Sequence, residues 1–198
     1  MNGNSFLGWS GDLYNESKAF VYERQVLFNK DKTTLIAYRS KEKNYIIPNS
    51  VTNIGYNAFC NSESLTKINI PNSVTNIGKM AFRGCKSLIN INILNSVTNI
   101  GDWAFDDCKS LTKINIPNSV INIGDWAFSQ CDSLTNINIP NSVTNIGDSA
   151  FHGCSSLTSI NIPNSVTDIG NMAFRYCEKL PSKIKSDIIN RFGEKVFE

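Results

Sequence analysis

Charge is scarce in this sequence, and what there is nearly cancels. Lys, Arg, Asp and Glu make up 18% of 198 residues and leave a net charge of +2. Nothing in that balance leads one to expect a nucleic acid or an anionic membrane surface as partner. No apolar run approaches the roughly 20 residues of a membrane-spanning helix, so no membrane insertion is expected. The opening MNGNSFLGWSGDLYNESK has neither a basic n-region nor an apolar h-region, and does not read as a signal peptide. None of the six cysteines has C-x-x-C spacing, which argues against zinc. The acids Asp102, Asp106, Asp107, Asp125 and Asp148 lack the spacing of a calcium loop, so no metal or cofactor is expected. Despite abundant Asn, only Asn15-Glu16-Ser17 fits the N-glycosylation acceptor pattern.

What the chain has instead is repetition. IPNSVTNIGDSAFHGCSSLTSIN, from Ile139 to Asn161, recurs in close variants at a period of 23, starting at Ile47, Ile70, Ile93, Ile116 and Ile162. The expected division is an N-terminal cap over 1–46, six 23-residue repeats over 47–180 with the last one partial, and a C-terminal capping helix and tail over 181–198. In the cap, Val26 to Tyr38 reads as two short strands around the turn Asn29-Lys30-Asp31-Lys32. Near the C-terminus Ile184, Ile188 and Phe192 fall at helical spacing, with Ser182 as expected N-cap and Gly193 as the stop.

Within one repeat the apolar positions are Leu88, Ile91, Ile93, Val97, Ile100, Ala104, Phe105 and Cys108. A short strand with Ile91 and Ile93 inward is predicted, then a second extended piece with Val97 and Ile100 inward. Gly101 is expected to permit a sharp turn into one helical turn, DWAFDDC, with Asp102, Asp125 and Asp148 capping its backbone amides. One coil cannot bury eight apolar side chains alone, whereas coils stacked about 5 Å apart can. The fold class is therefore an α/β repeat solenoid, with a sheet of short parallel strands, a second short-strand face and one helical turn per repeat.

The pattern IPNSVTNIGDxAFxxCxSLTxIN closely resembles the 23-residue treponemal type of leucine-rich repeat, the BspA-like family, over Ile47 to Leu180. Departures are local: Leu94 replaces the Pro, Ile121 replaces a Thr, and Ser62 stands in the Cys column. The resemblance implies a curved solenoid with its parallel sheet on the concave side. It also implies a non-enzymatic module that binds other proteins, a host or matrix protein ahead of a glycan, on a cell surface or after secretion. The alternatives are an intracellular scaffold of the same fold, for which the lack of a signal speaks, and a self-associating structural protein; monomer or weak self-association is expected.

Chemistry has little foothold in the repeats. Cys85, Cys108, Cys131, Cys154 and Cys177 share one column and read as buried, reduced thiols, with Cys60 more exposed. His152 shares its column with Arg83, Asp106, Ser129 and Arg175, and a column that accepts such unlike side chains is a solvated face. The columns containing Asn72 and Asn76 are expected to form amide ladders. Recognition is expected on the outward positions of the first strand: Thr66, Lys67, Asn69, Ile89, Asn90, Asn92, Thr112, Lys113, Asn115, Asn136, Asn138, Ser159 and Asn161. Ile89 with Leu94 would make a small apolar spot beside them. A secondary patch comprises Met80, Trp103, Trp126 and Met172, with the two Trp residues on adjacent coils.

Overall fold

The computed structural model describes residues 19–198, so Asn15-Glu16-Ser17 and the first part of the expected cap lie outside the described residues. Two kinds of short strand alternate along the coils. Three-residue strands β4 (Asn44–Ile46), β6 (Lys67–Asn69), β8 (Asn90–Asn92), β10 (Lys113–Asn115), β12 (Asn136–Asn138) and β14 (Ser159–Asn161) line one face. Two-residue strands β5 (Asn53–Ile54), β7 (Asn76–Ile77), β9 (Asn99–Ile100), β11 (Asn122–Ile123), β13 (Asn145–Ile146) and β15 (Asp168–Ile169) line another. Pairing is parallel and in register from coil to coil, Ile77 opposite Ile100 and Ile114 opposite Ile91. The three-residue face consists of two sheets, β10-β8-β6-β4 and β12-β14.

Both faces follow from inward apolar side chains. Every apolar position from Leu88 to Cys108 that is expected inside is at most 3% exposed. Phe59, Phe82, Phe105, Phe128, Phe151 and Phe174 stack along the axis with centroids 5.0–5.5 Å apart and planes within 13°. That spacing is the strand-to-strand distance, so identical residues must face each other at every level.

The third side of each coil is not helical. Residues 102–107 form consecutive turns, with Trp103 at φ 58° and Asp107 at φ 59°. Backbone donors alternate between two destinations. Ala104 N–H reaches Gly101 O at 3.2 Å within the turn, whereas Trp103 and Phe105 N–H reach Asp125 O and Ala127 O of the next coil, each at 2.8 Å. A helix would direct all of these bonds along its own axis. Here half go across, so the turns form a third hydrogen-bonded stacking face.

The column containing Gly101 also has a different reason from the expected one. Gly101 does not adopt a left-handed φ. A Cβ there would stand 2.7 Å from the Lys79 amide nitrogen and 2.9 Å from the Gly78 carbonyl carbon. Glycine is needed because two backbones touch, not because the chain turns sharply.

Strands β1 (Phe20–Glu23), β2 (Val26–Asn29) and β3 (Thr34–Tyr38) form an antiparallel meander, and β3 continues into the parallel sheet against β5. Tyr38 donates its N–H to Ala58 O at 2.7 Å and packs its ring against Phe59 at 5.0 Å and 34°, taking the place of a preceding Phe. At the other end, helix α1 (Ser182–Phe192) begins after Pro181, which occupies the N-cap position without a side-chain cap bond. Ser182 is therefore the first helical residue rather than the cap. Gly193 ends the helix at φ 85°. Arg191 donates to Ile162 O and Pro163 O at 2.8 and 2.9 Å, fastening the helix to the last coil. Gly193, Val196 and Phe197 then stand 23 positions after Gly170, Ala173 and Phe174. The carbonyls of Lys195 and Val196 accept from Met172 and Phe174 N–H at 2.7 and 2.8 Å, as a further coil would.

Candidate functional site

The short strands expose a polar strip. In β6, β8, β10, β12 and β14 the middle Ile is buried while both neighbours are exposed. Lys67, Asn90 and Lys113 stand in one register row, and Asn92 faces Asn115. Beyond the break between the sheets, Asn136 faces Ser159 and Asn138 faces Asn161. The strip amides make few bonds to one another: among the described residues of the strip only Asn161 to Asn138, at 3.4 Å, makes a coil-to-coil bond.

The entry threonines differ. Thr66, Thr112 and Thr158 donate their hydroxyls to Lys43 O, Ile89 O and Thr135 O of the preceding coil at 2.9, 3.2 and 3.1 Å. Their hydroxyls serve the scaffold.

Ile89 and Leu94 do not combine into one spot. They stand at the two ends of an extended segment, roughly 16 Å apart at about 3.3 Å per residue. Ile89 is 48% exposed, while Leu94 is half-buried and lines a shallow groove of about 490 Å³ with Asn49, Asn69 and Asn72. Among the described residues the most exposed large apolar one is Ile46, at 73%, and it occupies the Asn69 row one coil earlier. Sequence reasoning missed it because β4 precedes Ile47, where the repeat line was taken to begin.

The Asn columns at the bends carry less than expected. Asn76 bonds Asn53 at 2.6 Å, but the column of Asn72 makes no ladder. Neighbouring serines hold the coils there instead, Ser73 to Val51 O at 2.7 Å and Ser142 to Val120 O at 2.6 Å.

The turn face brings together more than the secondary patch. Trp103 and Trp126 are parallel within 7° at 4.9 Å, both half-buried. Trp126 then meets His152 at 5.3 Å, and His152 meets Tyr176 edge-on at 5.2 Å. Arg83 lies over Trp103 at 5.4 Å, and Arg175 over Tyr176 at 4.9 Å. Met80 is half-buried in the coil before Trp103, whereas Met172 lies two coils beyond Trp126 with its Sδ 3.6 Å from Arg175 Nη1. Reading each column separately could not find this row, because it crosses from one column to the next. Steps of 26 and 24 residues, rather than 23, would have revealed it.

Asp106, Ser129 and His152 have the residue types of a hydrolytic triad but not its connections. The Asp106 carboxylate takes Arg83 Nε at 2.9 Å and the Ser129 hydroxyl. Burial raises its pKa despite those two partners. His152 Nδ1 instead pairs with Gln130 Nε2 at 3.3 Å, and Ser129 is 1% exposed. A triad requires the imidazole between carboxylate and hydroxyl. Here the carboxylate takes the hydroxyl directly and the imidazole pairs with Gln130 instead.

The thiols are equally committed. Cys85, Cys108, Cys131, Cys154 and Cys177 donate to the Phe carbonyl 26 residues earlier at 3.1–3.3 Å. Burial pushes all five upward, Cys177 to about 12. Cys60, half-buried, is more exposed than the other five, and burial raises it as well. A buried thiol held neutral is a poor nucleophile and a poor metal ligand.

The aspartates before the Trp column do not cap their own turn. Asp102, Asp125 and Asp148 each accept, through Oδ1, the backbone N–H one coil further on, at 3.2, 2.9 and 2.7 Å. Lys79 Nζ sits 3.3 Å from Asp102 Oδ2. Neither Asp125 nor Asp148 has a cation at ion-pair distance among the described residues.

No curated protein matches the sequence, but solved structures do. A leucine-rich repeat protein of T. pallidum shares 28% identity at a TM-score of 0.68, covering 89% of this chain and 94% of that one. A leucine rich cell surface protein of Faecalibacterium prausnitzii shares 28% at 0.61, covering 83% of this chain and 55% of that one. The pneumococcal vaccine antigen PcpA shares the fold at 0.67, with 21% identity over 91% of this chain and 47% of that one. The description "BspA type Leucine rich repeat region (6 copies)" matches residues 37–154 and 80–198. The two matches together run from 37 to 198, and the chain belongs to the BspA-type leucine-rich-repeat family.

Proposed function

We propose that this chain is a non-enzymatic adhesion module, on a cell surface or secreted, that holds a host or matrix protein against its polar strip. The observation that carries this reading is the exposed–buried–exposed alternation repeated on β6, β8, β10, β12 and β14. It gives a stiff sheet whose outward amides and amines, Lys67, Asn69, Asn90, Asn92, Lys113, Asn115, Asn136, Asn138 and Asn161, are spent on little else. Membership of a repeat family suited to protein interaction supports the class, since a solenoid offers one extended surface rather than a pocket. The cell-surface location is supported by the F. prausnitzii neighbour, which is described as a leucine rich cell surface protein.

Two measurements test it. Protease shaving of intact source cells, followed by an antibody to this chain, should remove the signal while a cytosolic marker survives. Binding of the purified chain to immobilised extracellular-matrix proteins should fall when Asn90, Asn115 and Asn136 are all changed to Glu, with the circular dichroism spectrum unchanged. Full protection of the chain from protease would redirect the search to intracellular partners.

A further inference from the structure

The turn face and the strip differ in kind. The strip is made of Asn, Thr, Ser and Lys. The turn face presents Trp103, Trp126 and His152, all half-buried, with Tyr176 at 55% exposure and Met172 at 37%. Trp, Tyr and Met are the residue types enriched where proteins meet, while Lys and Ser are depleted there.

The ring faces are already occupied. Trp103 stacks on Trp126 and has the Arg83 guanidinium over its ring. A sugar ring or a nucleobase needs an open aromatic face, and each ring of the Trp pair already has two close neighbours, Trp126 meeting His152 as well as Trp103. Immediately beside that pair runs the column Lys79, Asp102, Asp125, Asp148. These four members of the column are not equivalent. Lys79 neutralises Asp102 from the preceding coil. One coil later the place of that lysine is taken by Asp102 itself, and one coil later again by Asp125. So Asp125 and Asp148 have like charges for neighbours. Their Oδ1 atoms are pinned along the stack by the amides of Asp148 and Asn171. Both are exposed, and Trp126 follows Asp125 directly.

We propose that this face is a second docking surface, for a basic segment of a partner protein. Lysine or arginine side chains of that segment seat on Asp125 and Asp148 and lay their aliphatic stems along the edges of Trp103 and Trp126. The protein itself shows how the ammonium group sits, because Lys79 Nζ takes Asp102 Oδ2 at 3.3 Å beside Trp103. Charge complementarity selects the partner. Two adjacent carboxylates without a counter-ion repel each other, and a cation placed between them removes that repulsion. The net charge of +2 works against any general attraction of cations to this chain, so affinity for a basic segment must come from a local site. The inference rests on the reading of the chain as a protein-binding module, but not on the strip.

The test uses the whole chain at low salt, with a ten-residue oligolysine peptide as probe and a ten-residue oligoglutamate peptide as control. Oligolysine should bind and shift the tryptophan fluorescence, and oligoglutamate should not bind. Asp125→Asn with Asp148→Asn keeps the Oδ1 acceptors and hence the fold, and should weaken oligolysine binding roughly tenfold. A strip variant, Asn136→Ala with Asn138→Ala, should bind it as the parent does. Equal affinity for the two peptides, or an unchanged affinity in the Asp-to-Asn pair, would overturn the proposal. Loss of oligolysine binding in the strip variant alone would overturn it too and would move the cation site to the strip. Loss of matrix binding in the strip variants touches only the adhesion reading.

Discussion

Phe197 packs its ring against Phe174 at 5.9 Å and 38°, 23 residues further along the chain. The contact extends the row of six core rings by one, although helix α1 intervenes where strand and bend would have been. Val196, fully buried, takes the matching place of Ala173. An end coil exposes its stacking face unless something covers it, and the segment from Gly193 to Phe197 covers the last one. Phe197→Ala should therefore destabilise the protein by about 1–3 kcal/mol in urea unfolding, less than the ~3–5 kcal/mol expected for Phe128→Ala in a central coil. Asn136→Ala on the strip should cost well under ~1 kcal/mol. If all three cost the same, the inside and outside of the coil have been assigned wrongly.

Two glycine-related positions should respond unequally. At Gly101 an added Cβ meets backbone, Lys79 N at 2.7 Å, and backbone cannot swing aside. Gly101→Ala should cost about 1–3 kcal/mol or more from overpacking. Asp107 has φ 59°, and its column already contains Gly84 and Gly153 at φ 70° and 72°. Asp107→Gly relieves a left-handed conformation at the loss of one exposed 3.5 Å ion pair with Lys109, so the change in stability should stay within about 1 kcal/mol. Thermal melts of the two variants decide the point.

Burial of the thiols makes stability depend on alkaline pH. Five thiols have folded-state pKa values pushed upward, and in the unfolded chain they titrate near the ordinary 9.0. Above pH 9 the unfolded state releases protons that the folded state retains, so it binds fewer, and stability falls as pH rises. Each thiol contributes up to about 1.4 kcal/mol per pH unit in that window. Unfolding free energies in urea at pH 8 and pH 10 should show the loss, and Cys131→Ala should make it shallower. In the native state a thiol reagent should reach Cys60 first and the other five only on unfolding.

The fold was largely legible in the sequence because a column of identical residues can only be one thing in a stack. Ile91, Val97, Ile100 and Phe105 recur at the period and are all buried. The turn face was not legible. DWAFDDC reads locally as a helix start, and only the neighbouring coil, by accepting the N–H groups of Trp103 and Phe105, forces the left-handed residues instead. The end of the repeat array was hidden for a related reason: α1 replaces the Ile-Pro-Asn-Ser line, so the eye stops at Leu180 while the register continues to Phe197. Of the candidate site, outward positions such as Asn90 and Asn115 were readable from strand alternation. The Trp126–His152–Tyr176 row was not, since it runs diagonally to the repeat.

That diagonal row gives the turn face an optical reporter. Burial, and then the positive charge of Arg175, hold the His152 imidazole below its ordinary 6.5, with Asp106 pulling weakly the other way. The ring is therefore neutral over most of the physiological range, lying 5.3 Å from Trp126. On acidification it gains charge against the indole and beside Arg175, so the folded state resists a proton that the unfolded state accepts at a higher pH. Stability from this group is complete above pH 6.5 and is lost as pH falls through the folded-state value. Trp fluorescence followed from pH 8 to pH 4 should show a transition with its midpoint below 6.5. Arg175→Gln removes the repelling charge and should raise that midpoint, whereas His152→Gln should abolish the transition and leave the fold in place. A transition that survives His152→Gln would mean that the reporter is another group, and that the imidazole is not coupled to the Trp pair.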